Sequence, residues 1–178
     1  GYDSRNNSQD FAKLTASILA DMGIKVYIWS ELLPTPMLSY AVRALGCSIG
    51  VMLTASHNPA EYNGLKVSRE NALPVGLDTG LGQIKEWVEN GRECVPAAVK
   101  GQVHPMDIKA DYLAFLLKYK EDWSSLKIAM DVSNGMASLF ARDIFGDQPA
   151  YIYEEMDGSF PNHEPNPLVQ KNVQDLKK

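Results

Sequence analysis

A hydroxyl, an imidazole and an ammonium lie close together in Thr54-Ala55-Ser56-His57-Asn58-Pro59 and the following Glu61-Tyr62-Asn63-Gly64-Leu65-Lys66. Phosphoryl chemistry calls for that set. A hydroxyl can hold the phosphoryl, a proton carrier can serve it, and cations or backbone N–H groups can balance its charge. Pro59 restricts the backbone and Gly64 frees it on either side of the stretch. A Ser-His pair in a loop also has a purely structural reading. Acyl transfer by a serine triad is disfavoured, because a triad histidine must face the serine Oγ through space and adjacent residues rarely do so. There is also no GxSxG elbow.

The flanking residues say what must position this loop. Residues 10–22 read as an amphipathic helix, with Phe11, Leu14, Ile18 and Met22 at helical spacing, Asp10 as its cap and Gly23 at its end. Lys25 to Trp29 reads as a strand. A second helix is expected after Thr35-Pro36, with Thr35 as N-cap, running to Gly46. Ser48 to Leu53 is a short apolar strand that feeds the Ser56 loop, and Leu65 to Ser68 is the strand that leaves it. Asp78 and Thr79 open a helix that ends near Gly91. Residues 91–106 lose the pattern, and a domain boundary is placed there. Beyond it the chain reads as a helix over 107–120, a strand over 127–132, a Ser-Asn-Gly turn, a helix over 136–145 and a strand over 150–153. Alternating helices and strands give an α/β protein.

The 178 residues carry a net charge of -5, are 45% hydrophobic and 22% charged, and contain no apolar run of the roughly 20 residues a membrane span needs. A general nucleic-acid binder would show a basic face, so neither nucleic acid nor membrane is expected as a partner. Cys47 and Cys94 form no CxxC unit and read as two reduced thiols, and nothing like a secretory leader opens the sequence. A cytoplasmic protein is expected. Without a GxxxxGK or GxGxxG loop, nucleotide binding has no support, and no HExxH or Cys/His cluster suggests zinc.

The stretch Thr54 to Pro59 with Tyr62 to Lys66 resembles the active-site loop of the α-D-phosphohexomutases. Gly1-Tyr2-Asp3-Ser4-Arg5 resembles that family's GxDxR strand and turn, and Pro34-Thr35-Pro36 sits at its expected helix start. Asp131-Val132-Ser133-Asn134-Gly135 resembles a turn in its second domain, and Gly158 to Pro167 resembles its GxFPxHxPNP stretch. The resemblance implies two three-layer α/β units, residues 1–100 and an incomplete 107–178. It implies that Ser56 carries a phosphoryl between the 6- and 1-positions of a hexose, through a bisphosphorylated sugar. Lys66 is then a phosphate partner or acid/base, His57 an orienting group or a packed loop residue, Arg5 a phosphoryl contact or only a partner of Asp3, and Asn58 a phosphate or substrate contact. Phosphoserine carries about -1.5 to -2 charges and needs cations facing it. The resemblance implies Mg²⁺ as one of them, held by the Ser56 phosphate, with a hexose 1,6-bisphosphate as activator. The family's DGDGDR metal loop has no counterpart here, and Asp3, Asp131 and Asp157 stand apart. His163 and its prolines read as a rigid turn.

Residues 69–80 resemble phosphomannomutases and dual phosphomannomutase/phosphoglucomutases more than phosphoglucosamine mutases. Both ends of the sequence read as cuts, so the remaining domains of the same polypeptide are expected partners, and this piece alone is expected to turn over no substrate. The alternative is a free-standing, non-catalytic module that binds phosphosugars or assembles with another subunit.

Overall fold

Three short sheets organise the chain in a computed structural model that describes all of residues 1–178. Helix α1 (Ser8–Asp21) precedes strand β1 (Val26–Trp29), and α2 (Thr35–Ala44) precedes β2 (Ile49–Leu53). Strand β2 pairs antiparallel with β3 (Leu65–Arg69), Ile49 opposite Arg69 and Leu53 opposite Leu65, and β3 pairs with the two-residue β4 (Leu73–Pro74). After α3 (Leu81–Glu89), strand β5 (Val103–Met106) returns to lie parallel to β1, Val26 opposite Val103. Then α4 (Lys109–Leu117), β6 (Ala129–Asp131), α5 (Ala141–Phe145) and β7 (Ala150–Ile152) follow, with β6 and β7 parallel. The expected α/β class is the one observed. No helix is long and apolar enough to cross a membrane.

The amino-terminal residues act as a strand without being long enough to be one. Tyr2 bridges Leu53 in parallel, the Leu53 N–H donates to Gly1 O at 2.9 Å, and the Asp3 N–H donates to Leu53 O at 3.2 Å. This pairing sets Asp3 and Arg5 beside the end of β2, where the Ser56 loop begins. The main core joins Trp29, Leu33, Met37 and Met52 to Ile108, Tyr112 and Phe140, so residues from both sides of the 91–106 stretch share one apolar interior.

Several elements differ from expectation, each for a physical reason. Helix α1 begins at Ser8, not at a cap by Asp10, because the Ser8 hydroxyl is fully buried and bonded to Asp3 Oδ1 at 2.9 Å. Its buried face is Ser8, Ala12 and Ala16, while Phe11, Leu14, Ile18 and Met22 are exposed. The small side chains of α1 face the interior and the larger apolar ones are left outside. Thr35 lies inside α2, whose N-cap is Pro34, and makes no side-chain cap. The 91–106 stretch read as patternless contains β5; Pro105 is tolerated there because β5 is an edge strand. The helix expected over 136–145 is a 3-10 turn (Met136–Leu139) followed by α5. Between β1 and β2 lies a cavity of about 620 Å³, walled largely by apolar side chains of β1, β2, α1 and α2, with Gly1 at its edge.

Candidate active site at the Ser56 loop

Antiparallel pairing of β2 with β3 brings Leu53 and Leu65 together and leaves residues 54–64 as the loop between them. The Thr54 N–H donates to Gly64 O at 3.0 Å and closes the base of this loop. Thr54 is buried, and its Oγ1 accepts the Ser56 N–H at 3.0 Å. Ser56 itself sits at φ 56°, in the left-handed region that non-glycine residues seldom adopt and that clusters at functional sites. Ser56 is exposed, and Lys66 from β3 donates to Ser56 Oγ through Nζ at 3.3 Å. His57 Nδ1 lies 3.4 Å from the same oxygen, a long approach for a hydrogen bond. The expected trio of Ser56, His57 and Lys66 is therefore assembled around one oxygen open to solvent.

Arg5 is assembled at the same loop but faces its backbone. The side chain is 1% exposed, with Nε 3.6 Å from Asp3 Oδ2. Nη1 donates to Pro59 O at 2.8 Å and Tyr62 O at 3.3 Å, and Nη2 donates to Ser56 O at 2.8 Å and Asn58 O at 2.7 Å. A guanidinium offers five N–H donors in a fixed fork, so these contacts commit it inside the protein. Burial pulls its pKa below the ordinary arginine value, and the Asp3 carboxylate opposes that pull. Asn58 contributes its main-chain carbonyl to this clamp, and its side chain is exposed at the loop tip.

Residues not singled out for a role from the sequence complete the support. Asp3 Oδ1 accepts the Arg5 N–H at 3.1 Å and the Ser8 hydroxyl, and Asn63 Nδ2 donates to Asn6 O at 2.7 Å. From the far end of the chain, the Phe160 ring lies with its centroid 5.0 Å from Arg5 Cζ. The sequence offers Asp3 only as a pairing partner for Arg5, and Phe160 only through the GSFPNH stretch. His163 lies at a bend of the chain. Its Nε2 lies 2.9 Å from Asp131 Oδ2 and its Nδ1 2.9 Å from Glu164 O.

A magnesium ion is the cofactor that the resemblance implies, and the residues here do not make its site. Mg²⁺ requires a near-octahedral set of oxygens. Ser56 Oγ has an ammonium and an imidazole as its polar side-chain neighbours, and Asp3 is committed to Arg5 and Ser8. No group of three or more His, Cys, Asp or Glu side chains could hold a metal anywhere in the chain.

Residues 1–93 match the family described as Phosphoglucomutase/phosphomannomutase, alpha/beta/alpha domain I. The chain is 32% identical over 179 residues to a phosphomannomutase/phosphoglucomutase of Pseudomonas aeruginosa, covering 99% of this chain and 37% of that protein. It is 33% identical over 183 residues to a phosphoglucomutase of Neisseria meningitidis serogroup B, covering 99% of this chain and 38% of that one. A solved phosphoglucomutase/phosphomannomutase family protein from Burkholderia thailandensis superposes with a TM-score of 0.81 at 25% identity, over 98% of this chain and 39% of that structure. The chain thus spans less than two fifths of the length of these relatives. The domain I match takes in more than half of the residues and contains the whole Ser56 loop, so the chain belongs to the phosphoglucomutase/phosphomannomutase family.

Proposed function

We propose that Ser56 is the phosphoryl carrier of an enzyme interconverting hexose 6-phosphate and hexose 1-phosphate, with mannose or glucose as the sugar. The observation that carries this reading is the exposed Ser56 Oγ with Lys66 Nζ at 3.3 Å and His57 Nδ1 at 3.4 Å. In the first half-reaction a sugar hydroxyl oxygen takes the phosphoryl from Ser56. The Oγ–P bond breaks, a sugar O–P bond forms, and the hydroxyl proton leaves to a nearby base. The bisphosphorylated sugar then turns over and returns its other phosphoryl to Ser56. Lys66 balances the phosphoryl charge; one unit charge at 4 Å is worth about 4 kcal/mol at an effective dielectric near 20. His57 is placed to carry a proton or orient the group, and Asn58 to meet the sugar. Arg5 serves by holding the loop.

Residues 1–100 and 107–178 are proposed as the first two domains of that enzyme, working in the cytoplasm with further domains of the same polypeptide. Those domains would supply the oxygen ligands that Mg²⁺ needs beyond the Ser56 phosphate. A hexose 1,6-bisphosphate would act as activator by loading Ser56. Intact-mass measurement of the whole protein after incubation with glucose 1,6-bisphosphate tests the reading. One added phosphoryl is expected, absent in Ser56→Ala. An unchanged mass in the unsubstituted protein, or a gain that survives Ser56→Ala, would end it.

A further inference from the structure

Two stretches of the carboxy-terminal half, Asp131 to Gly135 and Gly158 to Pro167, place no reactive side chain at Ser56 Oγ, yet they are bonded to each other throughout. His163 Nε2 meets Asp131 Oδ2 at 2.9 Å, and both side chains are nearly buried. Asn162 Nδ2 donates to Asn134 Oδ1 at 2.9 Å, Asn134 Nδ2 donates to Glu155 O at 2.8 Å, and the Asp157 N–H donates to Asn134 O at 3.0 Å. Asp157 Oδ1 in turn accepts from the Ser159 N–H and hydroxyl at 2.8 and 2.7 Å. Ser133, Asn134, Tyr153 and Phe160 all have φ between 50° and 57°. Such conformations persist only where the surroundings fix them, and for a residue as bulky as phenylalanine they are rare.

What this bonded pair of loops delivers is two contacts on the Ser4-Arg5 turn. Gly158 is buried so closely against the amino-terminal turn that a Cβ on it would stand 2.2 Å from Ser4 O and 2.8 Å from Arg5 Cα. Phe160 lays its ring against the Arg5 guanidinium, 5.0 Å from Cζ to centroid. A cation over an aromatic face is attracted by the ring quadrupole, the more so when water is excluded. Arg5 spends its other side on the carbonyls of Ser56, Asn58, Pro59 and Tyr62.

We infer that Phe160 and Gly158 are positioning residues for Ser56, holding the Arg5 fork against the loop so that the serine hydroxyl keeps its place between Lys66 and His57. The inference takes its catalytic meaning from the proposed phosphoryl transfer, but the ordering of the loop is a separate observable. In the whole protein, Phe160→Leu keeps an apolar side chain and removes the aromatic face, while Phe160→Tyr keeps the face. Amide hydrogen exchange in peptides covering residues 54–64 is expected to speed up roughly tenfold in Phe160→Leu, stay near the unsubstituted rate in Phe160→Tyr, and be unchanged across α1 and α2 in both. Phosphoryl uptake by Ser56 from glucose 1,6-bisphosphate should slow by a similar factor in the leucine variant, with the KM unmoved. Arg5→Lys should loosen the loop by itself, and adding Phe160→Leu to it should loosen it no further. Unchanged loop exchange in Phe160→Leu, or additive effects in the double variant, overturns the inference. If Phe160→Leu does not fold, the same readings on Gly158→Ala decide the matter, with faster exchange over 54–64 expected and no change fatal. Should the unsubstituted protein take up no phosphoryl, the proposed reaction fails, while the exchange data still judge the positioning role.

Discussion

Arg5 shows how much of a loop can rest on one residue whose terminal donors face the backbone. Its guanidinium is buried beside one carboxylate and bonded to four carbonyls from a loop more than 50 positions away in sequence. Removing the charge leaves Asp3 buried without its cation and the carbonyls without donors. Arg5→Met is therefore expected to destabilise the protein by about 3–5 kcal/mol in urea unfolding. Lysine keeps the charge but has no planar fork to span four oxygens, so Arg5→Lys should still cost about 2 kcal/mol. A lysine variant as stable as the unsubstituted protein would show that charge alone matters here. Lys66 is the opposite case. It is exposed and its hydrogen-bond partner is one hydroxyl, so Lys66→Met should change stability by less than about 0.5 kcal/mol while the proposed phosphoryl uptake at Ser56 collapses. Equal loss of both properties would recast Lys66 as a structural residue. The sequence made Ser56, His57 and Lys66 legible because they sit within one short stretch. Of Arg5 the sequence shows a cation that can contact a phosphoryl or pair with Asp3, and nothing local reveals that its terminal donors point at the backbone of a distant loop.

At the scale of elements, periodicity locates most of the helices and strands but misses β5 and misjudges one face. The β2–loop–β3 hairpin was readable because short apolar runs flank a stretch rich in Ser, Asn, Pro and Gly. In α1 the large residues Phe11, Leu14, Ile18 and Met22 marked a helix correctly, yet the side that meets the sheet is Ser8, Ala12 and Ala16. Size made the wrong side look like the core. Which side of a helix turns inward is set by the partner element, which a local pattern does not contain. Strand β5 went unread for a related reason: its pairing with β1 spans more than 70 residues, and Pro105 argues against a strand unless its edge position is known. The α1 result is testable by comparing two substitutions. Ser8→Leu is expected to cost about 1–3 kcal/mol through overpacking at a fully buried site, whereas Leu14→Ala, at a site 58% exposed, should stay within about 0.5 kcal/mol. Thermal unfolding measures both, and a larger loss for Leu14→Ala would restore the face that periodicity favoured.

For the molecule as a whole, one core runs across both halves, but the sheets around it do not join. Gly1 borders the apolar cavity between β1 and β2, and in a chain that starts there its amino group donates to Val51 O at 2.8 Å and burial pushes its pKa from 8.0 down to about 5. That displacement makes stability depend on pH in a definite direction. Between about pH 5 and 8 the folded chain holds the amine neutral, while the unfolded chain binds a proton. The unfolded state takes up more protons there, so stability must rise with pH through the window. The contribution is complete above about pH 8, shrinks as pH falls, and is gone below about pH 5, a span on the order of 4 kcal/mol. For the chain that begins at Gly1, urea midpoints measured between pH 5 and 8 should climb accordingly. Acetylating the Gly1 nitrogen removes the titration while leaving all three histidines in place, so the difference between the two forms isolates this one group. The acetylated chain should lose most of the slope and gain stability at pH 5 to 6. Parallel curves for the two forms would mean that the amine is solvated and that the sheet edge at Gly1 lies open to water.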